Sequence, residues 1–82
     1  MKGIVKMINP KSCMVAVELE TNDFAIIETR NVVFNVDIGD IIIGNFNCLG
    51  EESVQNISKS ESMKFLIKDI HCNSEEARKL MK

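Results

Sequence analysis

The chain has 82 residues, a net charge of −2 and a hydrophobic fraction of 45%, a combination typical of one small globular domain. One proline and no long polar tract argue against disorder. The longest apolar run, Ile41–Ile43, is far too short to cross a bilayer, and no apolar run of signal-peptide length opens the chain. We therefore expect a cytoplasmic protein with no membrane association.

The charges are unevenly distributed along the chain. Lys2, Lys6 and Lys11 precede the first acidic residue, whereas residues 18–52 contain eight acids and one base, Arg30. A dedicated nucleic-acid binder carries a clear basic excess, which this chain lacks. Two interpretations of the N-terminal lysines stay open. They form a local basic stripe, or they are solvated side chains that discourage pairing between strand edges.

Most of the chain has the pattern of short β-strands. Turn signals such as Asn9-Pro10-Lys11-Ser12 and Gly39-Asp40 separate apolar or alternating segments. In chain order, extended segments are predicted over residues 2–8, 13–20, 24–29, 32–38, 41–48 and 53–58.

Two of these segments carry finer predictions. In residues 32–38, alternation places four residues on one face: Val32, Phe34, Val36 and Ile38. In residues 41–48, Ile42, Phe46 and Cys48 are predicted to share a side, and Gly44 between them is typical of a bulge or a barrel corner.

Short strands at this spacing favour a small closed sheet, because closure removes the exposed strand edges. The sequence predicts a mainly β fold, with a small five-stranded OB-like barrel over residues 1–58. An appended sixth strand and a short C-terminal helix over residues 59–82 are expected to pack on the same domain. An SH3-like barrel also has five short strands and similar turns, so the topology stays open between the two.

The C-terminal segment begins with a polar linker. Apolar residues then alternate with lysines and predict a strand over residues 63–70. Asn73 and Glu76 match a capping box for a helix over residues 74–81. A helix this short is unstable alone, so its apolar face must either cover the barrel or bind a partner or a second copy. The candidate interface residues are Met63, Phe65, Ile67, Leu80 and Met81.

The start of the chain contains Gly3, Val5, Lys6 and Asn9 within seven residues. This run resembles the opening of cold-shock domains, OB-fold proteins that begin with Gly-x-Val-Lys-Trp-Phe-Asn. Met7-Ile8 here replaces the Trp-Phe pair of that family. Looser matches follow at residues 39–46 and 50–57, so the resemblance covers residues 1–58 and implies an OB-like barrel.

This chain departs from the family at the motifs that stack on bases. The two base-stacking motifs of the family fall on residues 12–17, which have no aromatic residue, and on residues 24–28, which keep only Phe24. Each stacked base contributes about 1–3 kcal/mol, so losing three platforms costs roughly 3–9 kcal/mol of affinity. What remains is weak, salt-sensitive binding of single-stranded RNA or DNA. The candidate residues are Lys2, Lys6, Met7, Asn9, Lys11 and Met14.

Catalytic and metal sites find little support. Cys13, Cys48 and Cys72 are odd in number and widely spaced, which fits neither a disulfide framework nor a zinc site, and His71 is the only histidine. The sequence shows no phosphate-binding glycine loop and no arrangement typical of a nucleophile and its base. We therefore expect no enzyme, no cofactor, no metal and no small-molecule substrate.

Two hypotheses remain. The first is a non-enzymatic small β-barrel that binds a protein partner or self-associates through its C-terminal segment. The second is weak binding of single-stranded nucleic acid, as in cold-shock-like domains. The sequence identifies neither the partner nor the oligomeric state.

Overall fold

The computed structural model describes residues 1–29, 36–47 and 49–81. In this part of the chain six antiparallel strands close into a barrel, in the order β1-β2-β3-β6-β5-β4. The strands are β1 (Lys2–Asn9), β2 (Met14–Leu19), β3 (Phe24–Thr29), β4 (Ile41–Ile43), β5 (Gly50–Asn56) and β6 (Glu61–Cys72). A 3₁₀ turn (Ile57–Lys59) joins β5 to β6, and the helix α1 (Ser74–Leu80) follows β6. The predicted mainly β barrel with a short C-terminal helix is confirmed.

The strand β6 completes the barrel. It is 12 residues long and pairs on one side with β3, where Phe24 lies opposite Cys72, and on the other with β5, where Asn56 lies opposite Glu61. The sequence analysis placed this strand after a barrel built by residues 1–58. It lies between β3 and β5 because its length allows it to pair with both strands. Removing it would therefore open the sheet.

Alternate residues of the strands point into the barrel and form its main core. The buried members are Val5, Val15, Val17, Leu19, Ala25, Ile27, Val36, Ile42, Phe46, Val54, Phe65 and Ile67. A close approach favours glycine at position 3, because a Cβ atom on Gly3 would collide with the side chain of Val17.

The alternation of inward and outward residues along β1 is interrupted near its middle. Its register with β2 shifts between Val5 and Met7, so Lys6 is an extra residue on β1. Val5 belongs to the main core, and Ile8 packs against the same core after the shift. Met7 instead packs against a separate apolar cluster. The two halves of β1 therefore present their outer side chains to different surroundings.

The predicted strand over residues 41–48 is shorter in the structure. Only Ile41–Ile43 forms a strand. Ile42 and Phe46 are both buried in the main core, as predicted, and Cys48 lies outside the described residues. Gly44 follows β4 and exchanges two backbone hydrogen bonds of 2.9 Å with Met1.

The predicted strand over residues 32–38 falls largely on residues that the structure does not describe. Of its described residues, Val36 is buried whereas Ile38 is 68% exposed, so the prediction that they share a face is wrong. Residues 37–40 form a turn in which the backbone N–H of Asp40 donates to the carbonyl of Asp37 at 3.1 Å. A turn does not maintain the alternation of a strand.

The predicted capping box of α1 is confirmed. The side chain of Asn73 accepts a hydrogen bond from the backbone N–H of Glu76 at 2.8 Å, and the Asn73 N–H donates to Oε1 of Glu76 at 3.4 Å. The helix is only seven residues long. No helix among the described residues is long and apolar enough to span a membrane.

Candidate interaction surfaces

The helix α1 covers part of the outer face of the barrel. A second apolar cluster, separate from the main core, joins this helix to β2, β3 and β6. Its buried members are Ala16, Phe24, Ile26, Cys72, Ala77 and Met81. Met7 of β1 and Met14 of β2 pack against the cluster. We call Met7, Met14, Ala16, Phe24 and Ile26 the helix-covered face.

A polar contact fixes the end of the helix. The side-chain amide of Asn9 donates a 2.6 Å hydrogen bond to the backbone carbonyl of Met81. The other end of the same amide accepts a 3.1 Å bond from the N–H of Lys11. Asn9 therefore joins the turn after β1 to the C-terminal end of α1.

These contacts account for half of the residues predicted to bind nucleic acid. Met7 and Met14 lie at the helix-covered face, and Asn9 holds the helix in place. The strand segments that match the stacking motifs divide between the main core and this face. In this structure neither segment presents a free apolar platform.

The three predicted lysines are exposed on β1 and the turn after it. Nζ of Lys6 lies 3.8 Å from a carboxylate oxygen of Glu18 on β2. The backbone N–H of Lys2 donates to Glu20 at 3.1 Å. Carboxylates therefore lie beside Lys2 and Lys6, so this part of the surface is not a continuous basic stripe.

The structure buries most of the residues of the predicted C-terminal interface. Phe65 and Ile67 are 1% and 2% exposed, because both point into the barrel that β6 completes. Met63 is half-buried against the same core. Met81 is buried under α1 and Leu80 is 42% exposed, so Leu80 offers the largest accessible side chain of the five.

A polar cluster joins the turn of residues 37–40 to the end of β5 and the 3₁₀ turn after it. Oδ2 of Asp40 accepts hydrogen bonds from the side chain of Asn56 at 2.9 Å and from Nζ of Lys59 at 2.9 Å. The backbone N–H of Asp37 donates to the same oxygen at 3.0 Å, and Nζ of Lys59 also pairs with the Asp37 carboxylate at 2.6 Å. Asn56 is 1% exposed, and its hydrogen bonds satisfy a polar group that would be costly to bury alone.

Opposing effects set the pKa of Asp40. Burial favours the neutral carboxyl and acts to raise the pKa. Hydrogen bonds from Asn56 and the backbone of Asp37, together with Lys59, outweigh burial and hold the pKa of Asp40 below its ordinary value. The hydrogen bonds to Asp37 and Asp40 raise the pKa of the Lys59 ammonium. The cluster therefore stabilises the ionised carboxylate of Asp40 and the charged ammonium of Lys59. It also holds the turn of residues 37–40 in place.

Cys72 is buried, whereas its neighbour in the chain, His71, lies on the surface. Burial, aided by Asp69 and Glu76, raises the pKa of the Cys72 thiol to about 11, so the thiolate that would act as a nucleophile is disfavoured. His71 contacts the Asp23 carboxylate at 3.3 Å on the surface. Among residues 1–29, 36–47 and 49–81, no group of three or more His, Cys, Asp or Glu side chains is arranged to hold a metal ion.

An uncovered apolar surface lies on β1, β4 and the 3₁₀ turn that follows β5. We call Ile4, Ile41, Ile43 and Ile57 the isoleucine surface. Ile4 lies directly opposite Ile41 in the β1–β4 ladder. Ile4 and Ile43 are each 37% exposed, Ile57 is 51% exposed, and Ile41 is half-buried. Four isoleucines thus meet solvent where the outer face of a small barrel is ordinarily polar.

The sequence analysis missed this surface. The signal was the run Ile41–Ile43, because consecutive strand residues point to opposite faces and only Ile42 can enter the core. Ile4 lies between Gly3 and Val5, both of which are buried, so it too must point outward.

Comparison with protein-family models, curated proteins and solved structures found no match to this chain. The fold is therefore described from its own strand order. The resemblance to cold-shock domains depends on the sequence motifs alone.

Proposed function

We propose that this protein is a non-enzymatic β-barrel module that binds protein. The observation that carries the proposal is the isoleucine surface, where the side chains of Ile4, Ile43 and Ile57 remain substantially exposed. Burying apolar area contributes about 25 cal/mol per Å², and a group of isoleucines on one face is typical of an association site. The proposal differs from the C-terminal interface predicted above in its location.

The surroundings of the isoleucine surface favour protein over nucleic acid. Lys2 lies opposite Ile43 on one side of the centre, and Glu18 lies opposite Ile4 on the other. Phosphates require a cationic surface, whereas a protein interface typically has an apolar centre and a mixed polar rim. The carboxylates of Glu18 and Glu20 would repel a phosphate backbone here.

We also propose that the barrel is a divergent OB-like relative of cold-shock domains. Two of the matching residues have structural roles that support this proposal. Gly3 allows β1 to approach Val17, and Asn9 joins the end of β1 to the helix. An OB barrel has five strands, and the insertion of β6 between β3 and β5 would be this chain's addition. A cytoplasmic location stays a prediction from composition.

Site-specific photo-crosslinking in cells that produce the protein tests the proposed function. A benzophenone side chain replaces Ile43, and a control variant carries it at Leu49, which is also apolar and is 64% exposed. Leu49 immediately precedes Gly50, the first residue of β5. Gln55, which lies opposite Ile43, is near the other end of that strand. We expect a discrete protein adduct from position 43, either with another protein or with a second copy, and none from position 49. No adduct at position 43, or equal adducts at both positions, would contradict the proposal.

Weak nucleic-acid binding is the alternative function. Lys2, Lys6 and Lys11 lie on or just after one strand and are exposed, which is the observation in its favour. With Met7 and Met14 packed against the cluster under α1, only phosphate contacts would remain. Such binding would be weak, salt-sensitive and indifferent to sequence.

A further inference from the structure

We propose that the partner of the isoleucine surface is a second copy of this chain, in a two-fold symmetric dimer. This inference rests on the proposed function and specifies its partner. A two-fold interface uses the same patch on both subunits, so the patch must complement itself in both shape and charge. The isoleucine surface and its four charged neighbours, Lys2, Lys6, Glu18 and Glu20, meet this requirement.

The closed barrel restricts how two copies can associate. Each of the six strands is paired on both sides in the described sheet. The three-residue β4 leaves only short parts of β1 and β5 without a ladder partner among the described residues, so little free edge is available for adding a strand. Outward-pointing side chains offer the larger surface for association, and the isoleucine surface supplies a group of them on adjoining strands.

The register defines the layout of the patch. On the outer face, Ile4 has Ile41 on the β4 side and Glu18 on the β2 side. Lys2 and Lys6 occupy the outward positions before and after Ile4 on β1. Neighbouring strands lie about 4.8 Å apart, so the apolar centre and its charges fit within one small contact area.

The charges around the centre are self-complementary. Two lysines and two glutamates give a neutral rim, so the approach of a second copy is not opposed by net charge. A two-fold axis in the interface plane, along the line from Ile4 to Ile43, would place Lys6 of each copy over Glu18 of the other, and the aliphatic stem of Lys2 over Ile41. The 3.8 Å pair of Lys6 and Glu18 within each chain would then become part of a network of four charges. A partner of one charge sign would gain much less from this rim.

Sedimentation equilibrium of the purified full chain tests the dimer. Because the exposed apolar centre is small, we expect a weak dimer that requires measurement from about 5 µM to about 1 mM. Ile43→Glu should raise the dimer Kd at least about tenfold, since it buries a carboxylate at the centre. Leu49→Glu, which makes the same chemical change at an exposed apolar residue away from the patch, should leave the dimer Kd within about twofold.

A charge exchange tests the proposed axis. Lys6→Glu and Glu18→Lys should each raise the dimer Kd several-fold, because each places like charges against each other across the interface. An equimolar mixture of the two variants should restore association as a heterodimer, since each Lys6→Glu chain then faces a Glu18→Lys chain. Thermal unfolding of each variant establishes that it is folded before it is mixed.

The outcomes separate this inference from the proposed function. A chain that stays monomeric at about 1 mM, or one in which Leu49→Glu weakens the dimer as much as Ile43→Glu does, overturns the second copy as partner. If position 43 then crosslinks to a different protein, the proposed function stands and only the partner is wrong. A dimer that responds to Ile43→Glu but is not restored in the mixture of charge variants overturns the axis and the pairing of Lys6 with Glu18.

Discussion

The two halves of β1 lie in different surroundings in this barrel. After the register shift, Met7 packs against the apolar cluster under α1, and Asn9 bonds to the end of that helix. Before the shift, Ile4 faces outward and is 37% exposed next to Lys2. One strand thus contributes to a face that the chain covers with its own helix and to a face that it leaves open.

The comparison shows how a short C-terminal segment divides the surface of a small barrel. The helix buries Ala77 completely and Met81 almost completely, and these two residues close the apolar cluster below it. Nothing equivalent covers the isoleucine surface among the described residues. Substitutions under the helix should therefore affect stability, whereas substitutions on the isoleucine surface should affect association.

The largest effect is expected at the centre of the covered face. Ala77 is fully buried between α1 and the barrel, so Ala77→Arg should release the helix and lower the free energy of unfolding by about 3 kcal/mol. Urea unfolding measures this loss, and binding of an apolar dye should rise as the helix-covered face becomes exposed.

The matched control for this variant is on the same helix. Leu80 is 42% exposed, so Leu80→Arg should change the free energy of unfolding by no more than about 0.5 kcal/mol. Equal losses for the two variants would contradict the view that Ala77 packs against the barrel while Leu80 does not.

A second stability effect is expected at the turn that bonds to β1 just before its register shift. Val5, just before the register shift, donates to the carbonyl of Asp40 at 2.9 Å and accepts from the N–H of Gly39 at 2.8 Å. Asp40→Ala would leave Asn56 and Lys59 without their shared acceptor and should cost about 2 kcal/mol. Urea unfolding at neutral pH measures this loss.

The same residue predicts a pH dependence. Because the pKa of Asp40 is lowered in the folded protein, its ionised form adds stability that is fully present above the unfolded value of about 3.9. That stability is lost as the pH falls through the lower, folded pKa. Wild type should therefore lose stability more steeply than Asp40→Asn below about pH 4. If the free energy of unfolding falls equally steeply in both proteins below about pH 4, the Asp40 carboxylate is not preferentially ionised in the folded protein.

Local patterns were sufficient to predict much of the fold. Strand alternation has a period of two residues, and the capping box needs only Asn73 and Glu76 three residues apart, so both are visible in short windows of sequence. The pairing of Phe24 with Cys72 joins residues far apart in the chain, and no local pattern specifies it. The place of β6 in the barrel was missed for this reason.

The same limit explains why several candidate site residues lie in other surroundings than the sequence indicated. Phe65 and Ile67 were assigned to an interface because an added strand has a free face, whereas a strand inside the barrel has its apolar face in the core. The register shift at Lys6 turns Met7 toward the helix-covered face, and a single extra residue leaves no clear mark in the sequence. The residues of a strand that point outward can be predicted only when the positions of its register shifts are known.

A smaller effect is expected where Asn9 holds the helix. Its amide donates to the carbonyl of Met81 at 2.6 Å, and Asn9→Ala should cost about 1 kcal/mol, the usual net contribution of one hydrogen bond. Hydrogen exchange should accelerate at the backbone N–H of Met81 more than in β5. Lys11→Ala is the control, because only the backbone of Lys11 bonds to Asn9. Similar exchange in both variants would argue against a role for Asn9 in docking the helix.

The smallest effect is expected for nucleic acid. Wild type should show no saturable binding of labelled single-stranded DNA or RNA at physiological salt, and at low salt only weak binding that Lys6→Glu with Lys11→Glu removes. Fluorescence anisotropy measures both. The decisive comparison is with Ala77→Arg, in which the helix-covered face is open. That variant should bind no more tightly than wild type, because the exposed face would carry Met7, Met14 and Phe24 but only one aromatic ring on which a base can stack. If opening the helix instead produces tight binding, then the covered face is a nucleic-acid site that α1 blocks, and the division between a structural face and an interacting face fails.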